Sequence, residues 1–147
     1  PNCSKGLVNI FKEKQASVFS VEKILPEETK RYGIISGAKI DKSLIHVEDL
    51  VEKPEPDKAP SLLGIQGRYV FTPDLFYYQK KVYEGSGGEI QLTDAMRLMA
   101  QNTRLLSWIF DGKRYDIGTM KDWFQSHIEL SANSVFSHIL KRAMSKL

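Results

Sequence analysis

The sequence predicts a mixed α/β domain, and three observations carry that prediction. Strand-like and helix-like segments alternate through most of the chain. Its 147 residues suffice for one domain and are too few for two of ordinary size. A composition of 41% hydrophobic and 27% charged residues fits a soluble globular chain rather than a disordered one. No internal repeat or low-complexity stretch interrupts this pattern.

Leu7, Val8, Ile10 and Phe11 fit the apolar face of a short helix that fades near Glu13 and Lys14. Residues 16–21, rich in Val, Phe and Ser, read as a strand. Pro26-Glu27-Glu28-Thr29 reads as a helical turn. Proline suits a first helical position, and the acids suit the positive end of the helix dipole. Tyr32 to Ile35 reads as a short strand ended by Ser36-Gly37. Ile45 to Val51 reads as a strand paired with a neighbour. Pro54, Pro56 and Pro60 make the next stretch a loop, since each removes a backbone donor.

Leu62 to Phe71 is the strongest strand candidate. Thr72-Pro73-Asp74 is a cap followed by a first-turn proline, which predicts a helix through about Tyr83. Gly85-Ser86-Gly87-Gly88 reads as a flexible loop. Thr93 to Ala100 reads as a helix with Leu92, Ala95, Met96 and Met99 on its apolar side, and Thr93 reads as its cap. Leu105 to Phe110 reads as a strand, Asp111-Gly112 as a hairpin turn and Lys113 to Ile117 as the return strand. Trp123 to Ser131 and Val135 to Leu147 read as closing helices. Their apolar residues at helical spacing suit a core or a subunit interface.

Several classes are disfavoured at once. No apolar run approaches the ~20 residues of a membrane-spanning helix. The first ten residues hold no apolar stretch of the secretory type. The single cysteine, Cys3, excludes an internal disulfide and suits a reduced, cytoplasmic setting. A net charge of +3, with basic residues scattered, is a weak case for nucleic acid. His46, His127 and His138 have no metal-ligand spacing, and no Ser-His-Asp or Cys-His constellation can be assembled. No G-x-G-x-x-G or G-x-x-x-x-G-K spacing occurs.

Four places carry possible chemistry. Glu52 and Lys53 stand at a strand end, where α/β proteins hold ligands. In extended backbone the two side chains point to opposite faces. The pair suits a phosphorylated sugar, with the carboxylate accepting from hydroxyls and the ammonium meeting phosphate; it equally suits a solvated strand. Gly64 and Gly67 inside an apolar strand mark a bulge or a close approach by a ligand. Glu89, after the Gly-rich loop, is placed to face a cleft. Asp116, between Tyr115 and Ile117, is either a helix cap or a ligand for a hard cation.

In this order the pieces resemble the bacterial UTP–glucose-1-phosphate uridylyltransferases. The matching stretches are Arg31-Tyr32-Gly33-Ile34-Ile35, Val51-Glu52-Lys53-Pro54 and Ala59-Pro60-Ser61 leading to Gly67-Arg68-Tyr69-Val70. They continue with Gly88-Glu89-Ile90-Gln91-Leu92-Thr93-Asp94-Ala95 and Gly112-Lys113-Arg114-Tyr115-Asp116-Ile117-Gly118. The resemblance runs from about Leu7 to about Leu130. It implies part of a Rossmann-like α/β/α sandwich with a mixed sheet, lacking the N-terminal half that carries the nucleotide loop. Residues 1–130 would be the sugar-phosphate-binding half of the domain. Residues 131–147 would be a C-terminal helix for packing or oligomer contact.

The implied reaction joins UTP and glucose 1-phosphate into UDP-glucose and pyrophosphate, in a cytoplasmic homo-oligomer without nucleic-acid or membrane partners. Carried over residue by residue, Glu52 would hold glucose hydroxyls and Lys53 the sugar phosphate. Gly33 and Gly67 would line the sugar pocket, and Glu89 would be a further pocket residue. Asp116 would be a carboxylate on Mg²⁺. Lys53 and Asp116 are thus the catalytic candidates. A thymidylyl-type nucleotidyltransferase, or a non-catalytic binding or assembly module of the same fold, is the alternative.

Overall fold

The computed structural model describes residues 2–82 and 90–145. The chain divides by packing between Gly112 and Lys113, inside the expected 1–130 unit.

The first unit is built on five strands: β1 (Ser17–Lys23), β2 (Gly33–Lys39), β3 (Leu44–Glu52), β4 (Leu63–Val70) and β5 (Leu105–Ile109). Their order is β1-β4-β2-β3-β5, and β5 returns to β1 to close the sheet. The β5–β1 pairing is parallel and the others are antiparallel, so the expected mixed sheet is present. Alternation along β1 sorts its side chains onto two layers. Val18 packs with Leu7 of α1 (Cys3–Lys14) and with Leu44 and Leu106. Phe19 and Val21 pack with Leu75 and Tyr78 of α2 (Asp74–Gln79) and with Ala95, Met96 and Met99 of α3 (Leu92–Asn102). A strand buried on both faces carries apolar side chains on each, which is why Val18, Phe19 and Val21 do not alternate with charged residues.

Asn2 caps α1 by accepting from the Lys5 N–H at 3.1 Å, and Gln15 ends it in the left-handed region at φ 50°. Val8, expected on the apolar face, is instead exposed, and Leu7 alone in α1 is fully buried. Gly6 is where α1 lies against β5. A Cβ there would fall 2.5 Å from the Trp108 ring.

Three expectations are corrected. Ser36-Gly37 does not end a strand, because β2 runs through it to Lys39. The ladder to β3 shifts register between these two residues, so the pair forms a bulge instead of a turn. A Cβ on Gly37 would lie 2.0 Å from the His46 carbonyl oxygen, so the position demands glycine for close backbone approach. Gly37→Ala is expected to cost about 3 kcal/mol, at the upper end of overpacking effects, lowering Tm by roughly 10 °C in thermal unfolding. An unchanged Tm would show that this ladder yields freely.

The second correction concerns the hairpin at Asp111-Gly112. Among the described residues, no strand follows β5. β5 is already paired on both edges, to β1 through residues 105–109 and to β3 through residues 106–108, so a return strand has no free edge. Third, α2 stops at Gln79, where i→i+3 bonds from Lys81 to Tyr78 and from Val82 to Gln79 tighten the chain into turns. The Gly85–Gly88 loop and Glu89 lie outside the described residues.

The second unit contains α4 (Met120–Ala132) and α5 (Ser137–Met144). Thr119 caps α4, its hydroxyl accepting from the Asp122 N–H at 3.1 Å. Lys113 pairs with Glu129 of α4. Hydrogen bonding to each other holds the Lys113 ammonium above its ordinary value and the Glu129 carboxyl below its own. The core reading of the apolar stripe does not hold. Phe124 is 61% exposed, Phe136 60% and Ile139 56%.

Candidate functional site

The site grows from the end of the β2–β3 hairpin. Gly33 opens β2 and pairs directly with Glu52, the last residue of β3. Glu52 lies two residues beyond Leu50, which is buried in the core shared with α3, so its side chain emerges on the α3 side of the sheet. There its Oε2 accepts a hydrogen bond of 2.5 Å from the Thr93 hydroxyl, in the first turn of α3. The positive end of that helix favours a carboxylate at this place.

Gly33 is part of the same arrangement. A Cβ there would stand 3.0 Å from Ile65 Cδ1, 3.1 Å from Glu52 Oε2 and 3.4 Å from Thr93 Cγ2. The glycine leaves room for the carboxylate and the threonine to meet beside β2.

Lys53 overturns the expectation that the two charges diverge. It leaves the extended conformation and enters the left-handed region at φ 44°, with its N–H donating to the Tyr32 carbonyl at 3.1 Å. A lysine there, directly before Pro54, is uncommon; such outliers gather where the surrounding structure fixes them, often at ligand sites. The turn brings Nζ to 3.7 Å from Glu52 Oε1. The Lys53 side chain is 59% exposed and that of Glu52 28%, so the pair presents an accessible cation beside a half-sheltered anion.

Tyr69 belongs to this neighbourhood and was missed in the sequence. Burial pushes its phenol above the ordinary value, and the negative charge of Glu52 pushes it further. Its ring stacks on Phe71 at 5.4 Å and faces Phe19 at 6.3 Å. Alternation from Phe71 inside an apolar strand was the available signal, but it reads as core.

Gly67 has φ 77° and sits where the β1–β4 ladder slips, since Phe19 pairs with Tyr69 and Val21 with Ile65. It is a bulge glycine, and a Cβ there would meet nothing within 4 Å. Gly64 is explained by packing, with a Cβ coming within 3.1 Å of Ile24. Thr93 does not cap α3. Gln91 holds the cap position, and the Thr93 hydroxyl is spent on Glu52. A second link ties the same two elements: Arg97, one helical turn after Thr93, reaches both carboxylate oxygens of Asp49 on β3 at 2.6 and 3.1 Å.

In the second unit, Asp116 Oδ1 accepts from the Gly118 N–H at 3.0 Å, and Oδ2 lies 3.4 Å from the Arg114 guanidinium. Thr119, not Asp116, holds the cap position of α4. Among the described residues, no three His, Cys, Asp or Glu side chains gather as a metal site. A single hard carboxylate fits Mg²⁺ only where substrate phosphates and water fill the remaining positions.

Residues 4–133 match the nucleotidyl transferase family model. The chain is similar to the UTP–glucose-1-phosphate uridylyltransferase of Pseudomonas aeruginosa, with 39% identity over 122 residues, covering 83% of this chain and 44% of that protein. The Bacillus subtilis protein of that name is 39% identical over 127 residues, covering 86% and 44%. A solved UDP-glucose pyrophosphorylase complexed with UDP-glucose superposes with a TM-score of 0.87 at 33% identity, covering 91% of this chain and 51% of that one. The chain thus spans about half the length of the curated relatives it matches.

Proposed function

This chain belongs to the nucleotidyl transferase family, and we propose that it supplies the sugar-phosphate side of a site that makes UDP-glucose and pyrophosphate from UTP and glucose 1-phosphate. The carrying observation is the Glu52–Lys53 pair, an anion and a cation turned toward each other at the end of β3 beside a glycine. A sugar phosphate is bifunctional in the same sense. Its hydroxyls donate to a carboxylate and its phosphate needs a cation. The relatives named UTP–glucose-1-phosphate uridylyltransferase support this choice of substrate over other sugar phosphates.

In the proposed reaction a glucose 1-phosphate oxygen attacks the α-phosphorus of UTP in line, and pyrophosphate leaves. Catalysis of this kind is mainly positioning and charge neutralisation. Glu52 would orient the glucose ring. Lys53 would pair with the sugar phosphate and offset its repulsion from the triphosphate. Gly33 would let the ring approach the backbone, and Gly67 would line the same pocket. Glu89 is proposed as a further pocket residue. Asp116 would be this chain's carboxylate on Mg²⁺, which when bound withdraws negative charge from phosphate oxygens.

Calorimetry tests the reading. Lys53→Ala is expected to weaken glucose 1-phosphate binding tenfold to a hundredfold, from a charge-assisted hydrogen bond of about 1.5–3 kcal/mol, with glucose little affected. Equal affinities for glucose 1-phosphate in the two chains would make Lys53 a solvated turn residue.

A further inference from the structure

Glu52 has two carboxylate oxygens in different circumstances. Oε2 is taken by the Thr93 hydroxyl at 2.5 Å, whereas Oε1 faces Lys53 Nζ at 3.7 Å, beyond hydrogen-bond distance. Thr93 is buried in α3, and Glu52 is the terminal residue of β3, paired across the ladder with Gly33, which has no side chain to hold the carboxylate in place. Left to itself, a strand-end glutamate samples several rotamers. We propose that Thr93 is a positioning residue that selects one of these, so that Oε1 is the oxygen presented to a ligand hydroxyl. This rests on the sugar-phosphate reading of the site and adds what sets its selectivity.

Two features make Thr93 suited to the task. Its own place is fixed by the first turn of α3, whose Ala95, Met96 and Met99 are buried against the sheet. The Arg97–Asp49 fork, one turn further along the helix, ties α3 to β3 a second time, three residues before Glu52. The helix cannot slide along β3 without breaking both links. Its methyl packs toward Gly33, so the hydroxyl's direction is set as well as its position.

Thr93→Val keeps the shape and the branched packing while removing the donor; Thr93→Ser keeps the donor and removes the methyl. Side-chain three-bond couplings from NMR on the 147-residue chain report the Glu52 rotamer without any ligand. Wild type and Thr93→Ser are expected to show one rotamer and Thr93→Val an average. Calorimetry with glucose 1-phosphate is expected to show roughly tenfold weaker binding for Thr93→Val and near-complete rescue in Thr93→Ser. With a series of monodeoxy glucose 1-phosphates, the penalty for removing the hydroxyl held by Glu52 is expected to shrink in Thr93→Val, as a structural role alone would not require. A single Glu52 rotamer in Thr93→Val with unchanged affinity overturns the proposal and leaves the sugar-phosphate reading standing. A wild-type chain that takes up no glucose 1-phosphate overturns both.

Discussion

UTP and glucose 1-phosphate incubated with the 147-residue chain are expected to yield no measurable UDP-glucose. The groups proposed here meet the sugar, its phosphate and one metal position. None of them addresses the triphosphate, and no glycine-rich spacing of a phosphate-cradling type occurs in the sequence. The chain matches only 44% of the length of the Pseudomonas aeruginosa and Bacillus subtilis relatives. Loss of a single donor that stabilises developing charge typically costs ~10²–10³ in rate, and a site without its triphosphate cradle lacks several. The assay needs a companion measurement of glucose 1-phosphate binding, which shows that the chain is folded and its proposed subsite intact. Sustained turnover by the purified chain would mean that these residues hold UTP by themselves, and the division of labour proposed here would be wrong.

The strands were legible where burial leaves a local trace. Val18, Phe19 and Val21, and Ile45, Val47 and Leu50, are apolar because they are covered, on both faces in the case of β1, and the sequence records that cover directly. The expected caps at Thr72 and Thr93 are not made, Pro73 and Gln91 holding those cap positions. The two turn signals failed for long-range reasons. Asp111-Gly112 is a sound hairpin signal, but a hairpin needs a free edge, and β1 and β3 occupy both edges of β5. Ser36-Gly37 is a sound turn signal, yet the glycine serves a close approach to the His46 carbonyl across the ladder.

The candidate site was read in the sequence as residue types and not as geometry. Glu52 and Lys53 were singled out at the right strand end, with their side chains expected on opposite faces. The left-handed turn at Lys53 brings them together, and nothing local to Lys53 announces such a turn. Thr93 was assigned to the helix it stands in, because a threonine at a helix start is usually a cap. Its partner is 41 residues away in sequence, a separation that no window-based pattern spans. A buried pairing of this kind becomes visible only when β3 and α3 are packed together.

Asp116→Asn is expected to lower turnover by roughly a hundredfold or more in a complete enzyme carrying this sequence, with little effect on folding. The carboxylate accepts the Gly118 N–H through Oδ1, and an asparagine amide oxygen accepts the same bond, so the local turn is kept. The contact with Arg114 is a partly exposed pair at 3.4 Å, worth about 1 kcal/mol or less. Capping of α4 belongs to Thr119 and is untouched. What the amide removes is the negative charge, which is the property a hard divalent cation requires. Thermal unfolding and kcat measured on the same preparation separate the two roles. A fall of many degrees in Tm with turnover per folded molecule unchanged would make Asp116 a structural turn residue, since losing charge alone would then have cost stability and no chemistry.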